Sequence, residues 1–543
     1  MVSYQPTFSL RALTFSMLCL ATGHTFAGGL DLPTITASHQ GTSNANGAEA
    51  NDPSVLYYNP AGLARLKGGL QVSQGFSLLA LRGKVDVDEN GTTGTPEFNE
   101  TTSSRKLSDE EPTNGTPGTF WPSVLAAGGA FAALPIDDIV TAGVGIFAPG
   151  GGNLNYKADW AGAYQIDSIA IELININPSI GIRFDDKHSL GFGVSVIGGH
   201  IRQRTQIDVE GVGPYLLRNA AETGAIPVPA AVSALIPAFC RVPVITPVNE
   251  AVCRAAFAAA PSLLVDTENS SGSAKVEMYG YGLGFNVGYM FAVNDKTRMG
   301  LAYRSESTVK FRGKLEWDLD GLKGTALSDA ALGPLDKYLR ENLRPDTTAK
   351  GDLILPARTS ANIFHKLNEK IDLVADFTFI ETSAVDKIRV EFLDKKRADG
   401  TPIKQGAGGI DTKWKDSFKF SIGGNYHYDD KLTLKSGFQF DKTPVPSAEF
   451  RHPGAPDSDR YMYSVGANYK LKKNLTVDAA YSLTMLADSE SNYRDACRVT
   501  TRDNADGTYN PDGEPCTGNG GTFKGRFYDT SIQTLSLQLN QKF

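Results

Sequence analysis

The sequence predicts an all-β transmembrane protein, a fourteen-stranded antiparallel β-barrel, on three observations. Apolar and polar residues alternate over runs of ten or more positions. Short polar turns alternate with long connections. The last residue, Phe543, ends an alternating segment on the same face as Leu535, Leu537 and Leu539. The chain has 543 residues, 41% hydrophobic, and no run in its body reaches the ~18 apolar residues of a membrane helix. A barrel escapes that criterion, because its lipid-facing and lumen-facing residues cancel in the average. The 56 glycines suit a strand-rich chain with close backbone approaches.

The N-terminus reads as a signal peptide, residues 1–27. Arg11 supplies the positive flank, Ala12 to Ala21 the apolar run, and Thr25-Phe26-Ala27 the small-residue end. The run is too short to be a first membrane helix. The mature chain is then expected to begin near Gly28. Residues 28–66 are polar and small and do not alternate, which fits either a tail or a plug.

From residue 67 the barrel is expected. The clearest strands are C-terminal. Phe418, Phe420, Ile422, Tyr426 and Tyr428 alternate with Lys419, Ser421, Asn425 and His427. Tyr461, Tyr463, Val465 and Tyr469 alternate with Arg460, Ser464, Asn468 and Lys470, and Leu475, Val477, Tyr481 and Met485 continue the pattern. These runs exceed the five or six residues of an ordinary strand and reach the length a tilted strand needs to cross a bilayer. Short turns fall at Pro135–Asp138, Asp185–His188, Asn294–Lys296, Lys366–Lys370, Asp429–Lys431 and Lys472–Asn474. Long connections fall at Asp88–Pro122, Phe147–Gln165, Val209–Ala274, Asp318–Lys350, Asp394–Lys415, Lys442–Asp459 and Ser489–Phe523. Six turns and seven loops join fourteen strands, with both termini on the short-turn side, the outer-membrane arrangement. The terminal Phe543 on such a strand is expected to be read by the barrel-assembly machinery, and a monomer embedded in outer-membrane lipid is expected.

Five cysteines are present. Cys19 leaves with the signal peptide. Cys240, Cys253, Cys497 and Cys516 all lie in long loops, and an even number in an exported chain suggests disulfides. Spacing favours Cys240–Cys253 and Cys497–Cys516. No Cys-x-x-Cys or nearby histidine points to a metal site, and no cofactor is expected.

Several blocks carry a family resemblance. Asn51-Asp52-Pro53 precedes Tyr58-Asn59-Pro60-Ala61-Gly62-Leu63. Tyr281-Gly282-Leu283-Gly284-Phe285-Asn286-Val287-Gly288 leads into Gly300-Leu301-Ala302-Tyr303-Arg304-Ser305-Glu306. Leu355-Pro356-Ala357 follows, then Phe440-Asp441-Lys442-Thr443-Pro444-Val445-Pro446 and Pro456-Asp457-Ser458-Asp459-Arg460-Tyr461. In this order the chain resembles the FadL family of long-chain fatty acid transporters. The resemblance implies a fourteen-stranded outer-membrane β-barrel plugged by an N-terminal hatch, here 28–66 with Asn59-Pro60-Ala61 as its motif. It implies passive uptake of hydrophobic compounds, long-chain fatty acids first, without an energy-coupling partner. It also implies capture between two outer loops, a lumenal pocket, and a lateral exit at a kinked third strand.

The residues offer candidates for each station. Pro149-Gly150-Gly151-Gly152 should interrupt strand pairing after Phe147, since proline lacks a donor and glycine weakens strands. The proline-rich segment Ala225–Val265 is apolar, with Leu235, Ile236 and Phe239 at its centre. Thr325 to Leu343 carries a helical pattern at Leu327, Ala331, Leu335 and Leu339. These two loops are read as a capture groove, or as a lid packed on itself. Candidate lumenal cations for a carboxylate are His200, Arg202, Arg204, Arg304 and Lys419, unless they pair with lumenal acids such as Glu306, Asp376 or Asp478.

No nucleophile elbow, zinc-protease helix or dinucleotide fingerprint is present, so an enzyme is not expected. His365 and His427 lie near the periplasmic turns, the wrong end for a surface enzyme. The formal charge of −7 gives no reason to expect nucleic acid. The alternatives kept open are uptake of aromatic hydrocarbons or alkanes, and a surface adhesin or receptor.

Overall fold

The computed structural model describes residues 35–88, 119–120, 125–156, 160, 162–163, 165–207, 265–266, 270–400, 402–403, 407–494 and 522–543. Fourteen antiparallel spanning strands form one closed sheet. They are β1 (Gln71–Val87), β2 (Leu125–Pro135), β3 (Val140–Phe147 and Gly151–Asn155), β4 (Ser168–Arg183) and β5 (His188–Gln206). Then come β6 (Ser273–Asn294), β7 (Thr297–Arg304 and Ser307–Asp318), β8 (Thr347–Leu355 and Arg358–Lys366), β9 (Ile371–Ile380 and Lys387–Phe392) and β10 (Ala407–Asp411 and Ser417–His427). The last are β11 (Leu432–Asp441), β12 (Arg460–Lys472), β13 (Leu475–Leu486 and Ser489–Arg494) and β14 (Thr522–Lys542). Closure comes from β1, which pairs with β14 from Gln71–Lys542 to Val87–Gly525 and with β2 from Gln71–Ala133 to Leu79–Leu125. A closed sheet leaves few backbone groups to be satisfied by lipid.

Four of the six short turns share one device. Asp137, Asp185, Asn294 and Asp429 each accept two backbone N–H bonds, from the residues two and three ahead, at 2.6–2.9 Å. Those bonds hold the Asp137, Asp185 and Asp429 carboxyls below the usual range. A side chain that mimics a turn is why Asp and Asn recur there.

Strand parity sorts the two faces. On β6, Leu283, Phe285, Val287 and Tyr289 are exposed to the membrane side, whereas Met278, Asn286 and Met290 are buried inward. Several strands run further outward than alternation suggests. β3 continues to Asn155, β13 to Arg494, and β10 begins at Ala407. Above the membrane both faces meet water or loops, so pairing persists while the apolar period fades.

Residues 35–66 fold inside the barrel as α1 (Ala37–Gln40), α2 (Val55–Tyr58) and a 3₁₀ turn, Pro60–Arg65. They are mostly buried and bonded to the inner wall. Gln40 donates to Ser482 and to the Thr534 carbonyl, Gly47 N–H to Asp376, and Arg298 to the carbonyls of Ala48 and Glu49. Asn425 donates to Glu49. The wall makes room by glycine. A Cβ on Gly288 would stand 2.1 Å from Asn59 Oδ1, and one on Gly191 would stand 2.2 Å from the Pro60 carbonyl carbon.

The outer connection after β7 holds two helices, α3 (Ala326–Leu332) and α4 (Leu335–Asn342), instead of one continuous helix. Gly333 (φ 75°) and Pro334 separate them: glycine turns the chain out of the helix, and proline brings no N–H to continue it.

Candidate functional site

Three cavities are stacked along the lumen and share walls. The outermost, about 160 Å³, is apolar, lined by Ile169, Ile171, Val276, Met278, Phe311 and Trp317 among others. Below it a cavity of about 60 Å³ touches Trp414, which also lines the outer one. The third, about 90 Å³, lies against Tyr57, Tyr58 and Pro60 of the N-terminal segment and shares Arg304, Arg358 and Lys419 with the second. Parity builds the apolar chamber. On β5, Ile201, Gln203 and Thr205 face in, and on β7 Phe311, Leu315 and Trp317 do the same.

The middle cavity forms a cationic collar. Arg304, Arg358, Lys419 and Arg460 line it, with Asp441 as the one carboxylate among its lining residues. Lys419 lies 3.3 Å from Asp441, and Arg460 lies 3.0 Å from Asp441 and 3.3 Å from Asp457. Arg304 donates to the Tyr57 carbonyl at 2.9 Å and to Ser195 Oγ at 3.2 Å, while its guanidinium lies over Tyr57 at 5.2 Å and Phe147 at 5.8 Å. Four cations against Asp441 and the adjoining Asp457 leave a positive balance around the cavity, which favours an anionic group entering from the apolar chamber.

The strand ladder is interrupted beside this collar. β3 breaks at 148–150, so that Phe147 pairs with Asn175 and Gly151 with Glu172. Four steps of β3 thus span three of β4. β2 pairs with β3 only from Gly129 to Pro135, and among the described residues Gly151–Asn155 pairs with β4 alone. Gly151 adopts φ 138°, where a Cβ would meet the Ile171 carbonyl oxygen at 2.5 Å, so the break requires glycine. Of the four expected kink residues, Pro149 and Gly150 are unpaired, Pro149 lining the middle cavity, whereas Gly151 and Gly152 already belong to the resumed strand. Tyr57 of α2 meets Phe147 edge-on at 5.0 Å, which joins the N-terminal segment to the lip of the break.

Asn59-Pro60-Ala61 sits on the inner wall. The Asn59 side chain caps the 3₁₀ turn by accepting from Ala61 N–H at 3.1 Å and donates to the Tyr289 carbonyl at 3.2 Å. Arg304 and Lys419 lie in the lumen, where the sequence placed them. His200, Arg202 and Arg204 do not. β5 keeps its parity from Leu190 through Val196 without a bulge, so these three face outward. There they pair with acids: His200 with Glu172 and Glu277, Arg202 with Glu172, Arg204 with Asp167. Arg358 and Arg460, on the inward face of β8 and at the start of β12, take their place. The parity of Arg358 with Ser360 and Asn362 was the available signal. Leu335 is buried in the same apolar cluster as the chamber residues Trp317, Met278 and Phe311, but does not itself line the chamber. The side chain of Leu327, the segment with Leu235, Ile236 and Phe239, and Cys240, Cys253, Cys497 and Cys516 lie outside the described residues, as does the signal peptide.

Comparison with known proteins gives this geometry a family. A protein of Neisseria meningitidis serogroup B, named as an outer membrane protein, is 27% identical over 473 residues, covering 87% of this chain and 88% of its own. A Salmonella typhi long-chain fatty acid transport protein is 25% identical over 490 residues, with 89% and 92% covered. The fold matches a Pseudomonas aeruginosa FadL homologue at TM-score 0.69 and 22% identity, covering 95% of this chain and all of that one. It matches the Ralstonia pickettii toluene transporter TbuX at 0.55 and 16%, covering 94% and 99%. The family profile described as outer membrane protein transport protein (OMPP1/FadL/TodX) matches residues 18–515. The chain therefore belongs to that family of outer-membrane β-barrel transport proteins.

Proposed function

We propose that this protein takes up long-chain fatty acids by passive transport across the outer membrane. The observation that carries the reading is the stacking of an apolar chamber on a cationic collar that adjoins a break in the wall. An acyl chain gains ~0.8 kcal/mol per buried methylene, so the chamber supplies most of the affinity. The collar supplies selection, since a charge-assisted contact adds roughly 1.5–3 kcal/mol. Residues 35–66 act as a hatch that closes the lumen below the collar, and the break at 148–150 is the lateral exit. The name of the Salmonella typhi relative supports this substrate, while the toluene transporter among the structural neighbours supports a neutral aromatic. Phe311, Trp317 and Trp414 would suit an aromatic ring, but a neutral hydrocarbon leaves the collar without a use. The outward-facing terminal Phe543 suits recognition by the assembly machinery, and the barrel works as a monomer.

Binding titrations with a fatty acid and an alkane of matched length decide between the ligands. The double variant Arg304→Gln/Arg358→Gln is expected to weaken the fatty acid about tenfold or more, the size of one lost charge-assisted contact, and to change alkane binding less than about twofold. Equal losses for both ligands would remove the carboxylate-reading role and favour a neutral substrate.

A further inference from the structure

The outward face of the barrel carries a second charged surface, remote from the lumen. On β6, Tyr279 and Tyr281 are 62% and 74% exposed and end the apolar band of Leu283, Phe285 and Val287. Tyrosines at that boundary mark the depth of the lipid headgroups. Directly across on β7 stand Arg312 and Lys310, paired in register with Tyr279 and Tyr281, and Lys314 one row further out. All three side chains are exposed and outward, since the alternate positions Phe311 and Leu315 face the chamber. Among the described residues the three cations make no ion pair. Glu277, opposite Lys314, is engaged by His200 at 3.0 Å and Lys275 at 3.3 Å. On the other flank Arg312 is in register with Lys350, so two like charges stand opposite each other. Lys350 is held by Glu391 at 2.8 Å, and Lys310 is in register with the exposed Asp352 but makes no ion pair with it, so Arg312 and Lys314 carry most of the strip's uncompensated charge. The chain as a whole is acidic, at −7, so this basic strip does not follow from composition.

We propose that Lys310, Arg312 and Lys314 dock a phosphate-bearing lipid of the outer leaflet, with its acyl chains along Leu283 and Phe285 and its headgroup over Tyr279 and Tyr281. Depth and charge select this partner. The strip lies at headgroup level, its cations are spaced two residues apart on one face, and arginine and lysine are the common phosphate partners. The docked lipid holds β6 and β7 at the rim of the apolar chamber, because Met278 and Phe311 on the same strands form its wall. This reading is independent of which hydrophobic compound the lumen carries.

The test uses the full-length protein in phosphatidylcholine nanodiscs containing a small fraction of lipid A, followed by native mass spectrometry of the lipid retained. Wild type is expected to retain bisphosphorylated lipid A and to discriminate against the dephosphorylated form. Lys310→Gln/Arg312→Gln/Lys314→Gln is expected to lower retention roughly tenfold, the loss expected of charge-assisted hydrogen bonds. Lys470→Gln/Lys472→Gln, at the opposite rim, should leave it unchanged. Folding is checked by the heat-dependent gel shift, and Arg312→Gln alone carries the comparison if the triple variant fails to fold. Retention by the triple variant equal to wild type, equal retention of the dephosphorylated lipid, or equal loss in the Lys470 and Lys472 control each overturns the proposal.

Discussion

His452 shows what a single buried side chain does to an outer loop. It lies in the 442–459 connection, accepts from Gly454 N–H through Nδ1 at 2.8 Å, and meets Tyr493 edge-on at 4.6 Å. Burial lowers its pKa from 6.5 to about 3, so it stays neutral in the folded loop. This is the depressed-histidine case: the opened loop binds a proton below pH 6.5 and the closed loop does not. Stability is full above that value and falls as pH drops from 6.5 towards 3, by up to about 3 kcal/mol at pH 4.5. Once exchange rates are corrected for the intrinsic pH dependence of amide exchange, the protection factors of residues 442–459 should therefore be lower at pH 4.5 than at 7.5, and His452→Gln should flatten that difference. An unchanged pH response in the variant would place the titrating group elsewhere. Gly288 makes the complementary point through absence. A side chain there would displace Asn59, so Gly288→Val is expected to cost roughly 1–3 kcal/mol of local packing and to loosen the N-terminal segment. Increased sensitivity of cells to a large hydrophilic antibiotic, with normal barrel assembly, is the expected readout. The sequence announced close backbone approaches through its many glycines, and it offered Arg304 as a lumenal cation. It did not show that Asn59 was what approached Gly288, because contacts between residues 229 positions apart leave no periodic trace.

At the scale of elements, the break in β3 is the feature on which the proposed lateral route depends. Pro149 and the glycines after it announced that pairing would fail, but they could not say on which side. Among the described residues the loss falls on the β2 edge, where Leu125–Gly128 pair with β1 but not with β3, while β4 keeps its ladder with Gly151–Asn155. The cause is the extra residue in β3, which shifts the register so that one neighbour can follow and the other cannot. Filling Pro149–Gly152 with strand-forming side chains is therefore insufficient, because Gly151 in its present conformation has no room for a Cβ. Deleting Pro149 and changing Gly150→Thr and Gly151→Val removes the extra residue and permits continuous pairing. Such a variant should assemble, bind ligand in the chamber and lose most uptake. Uptake at the original rate by a folded variant would exclude this break as the exit. Elsewhere the elements were legible where the membrane imposed a period: the Asp and Asn turns and the outward Phe and Tyr rows follow alternation. They were illegible where it did not. The helix pattern at Leu327, Ala331, Leu335 and Leu339 ignored Gly333-Pro334 between its halves, and His200, Arg202 and Arg204 looked lumenal until the full ladder of β5 fixed their face.

For the whole molecule, three cavities sharing walls and the β3 break beside the middle one are the stations of the proposed route. On the proposed route a hydrophobic compound would enter the apolar chamber and its polar end would meet the collar, with the β3 break lining the same cavity. If transport follows that order, the two ends of the route can be blocked with opposite consequences for bound ligand. Val276→Trp adds a large side chain to the chamber wall, and overpacking should exclude ligand at the first step. The break-closing deletion acts at the last step and should leave the chamber accessible. Both variants should lose uptake, but they should differ in what co-purifies with the barrel. Mass spectrometry should find less hydrophobic ligand than wild type in Val276→Trp and as much or more in the closed-wall variant. Combining the two should return the ligand content to that of Val276→Trp, because a chamber that cannot fill has nothing to retain. A double variant holding as much ligand as the closed-wall variant would mean that compounds reach the collar without passing the chamber. Entry from the membrane side through the same break would then be the better account, and the apolar lining of the outer chamber would serve packing of the loops above it.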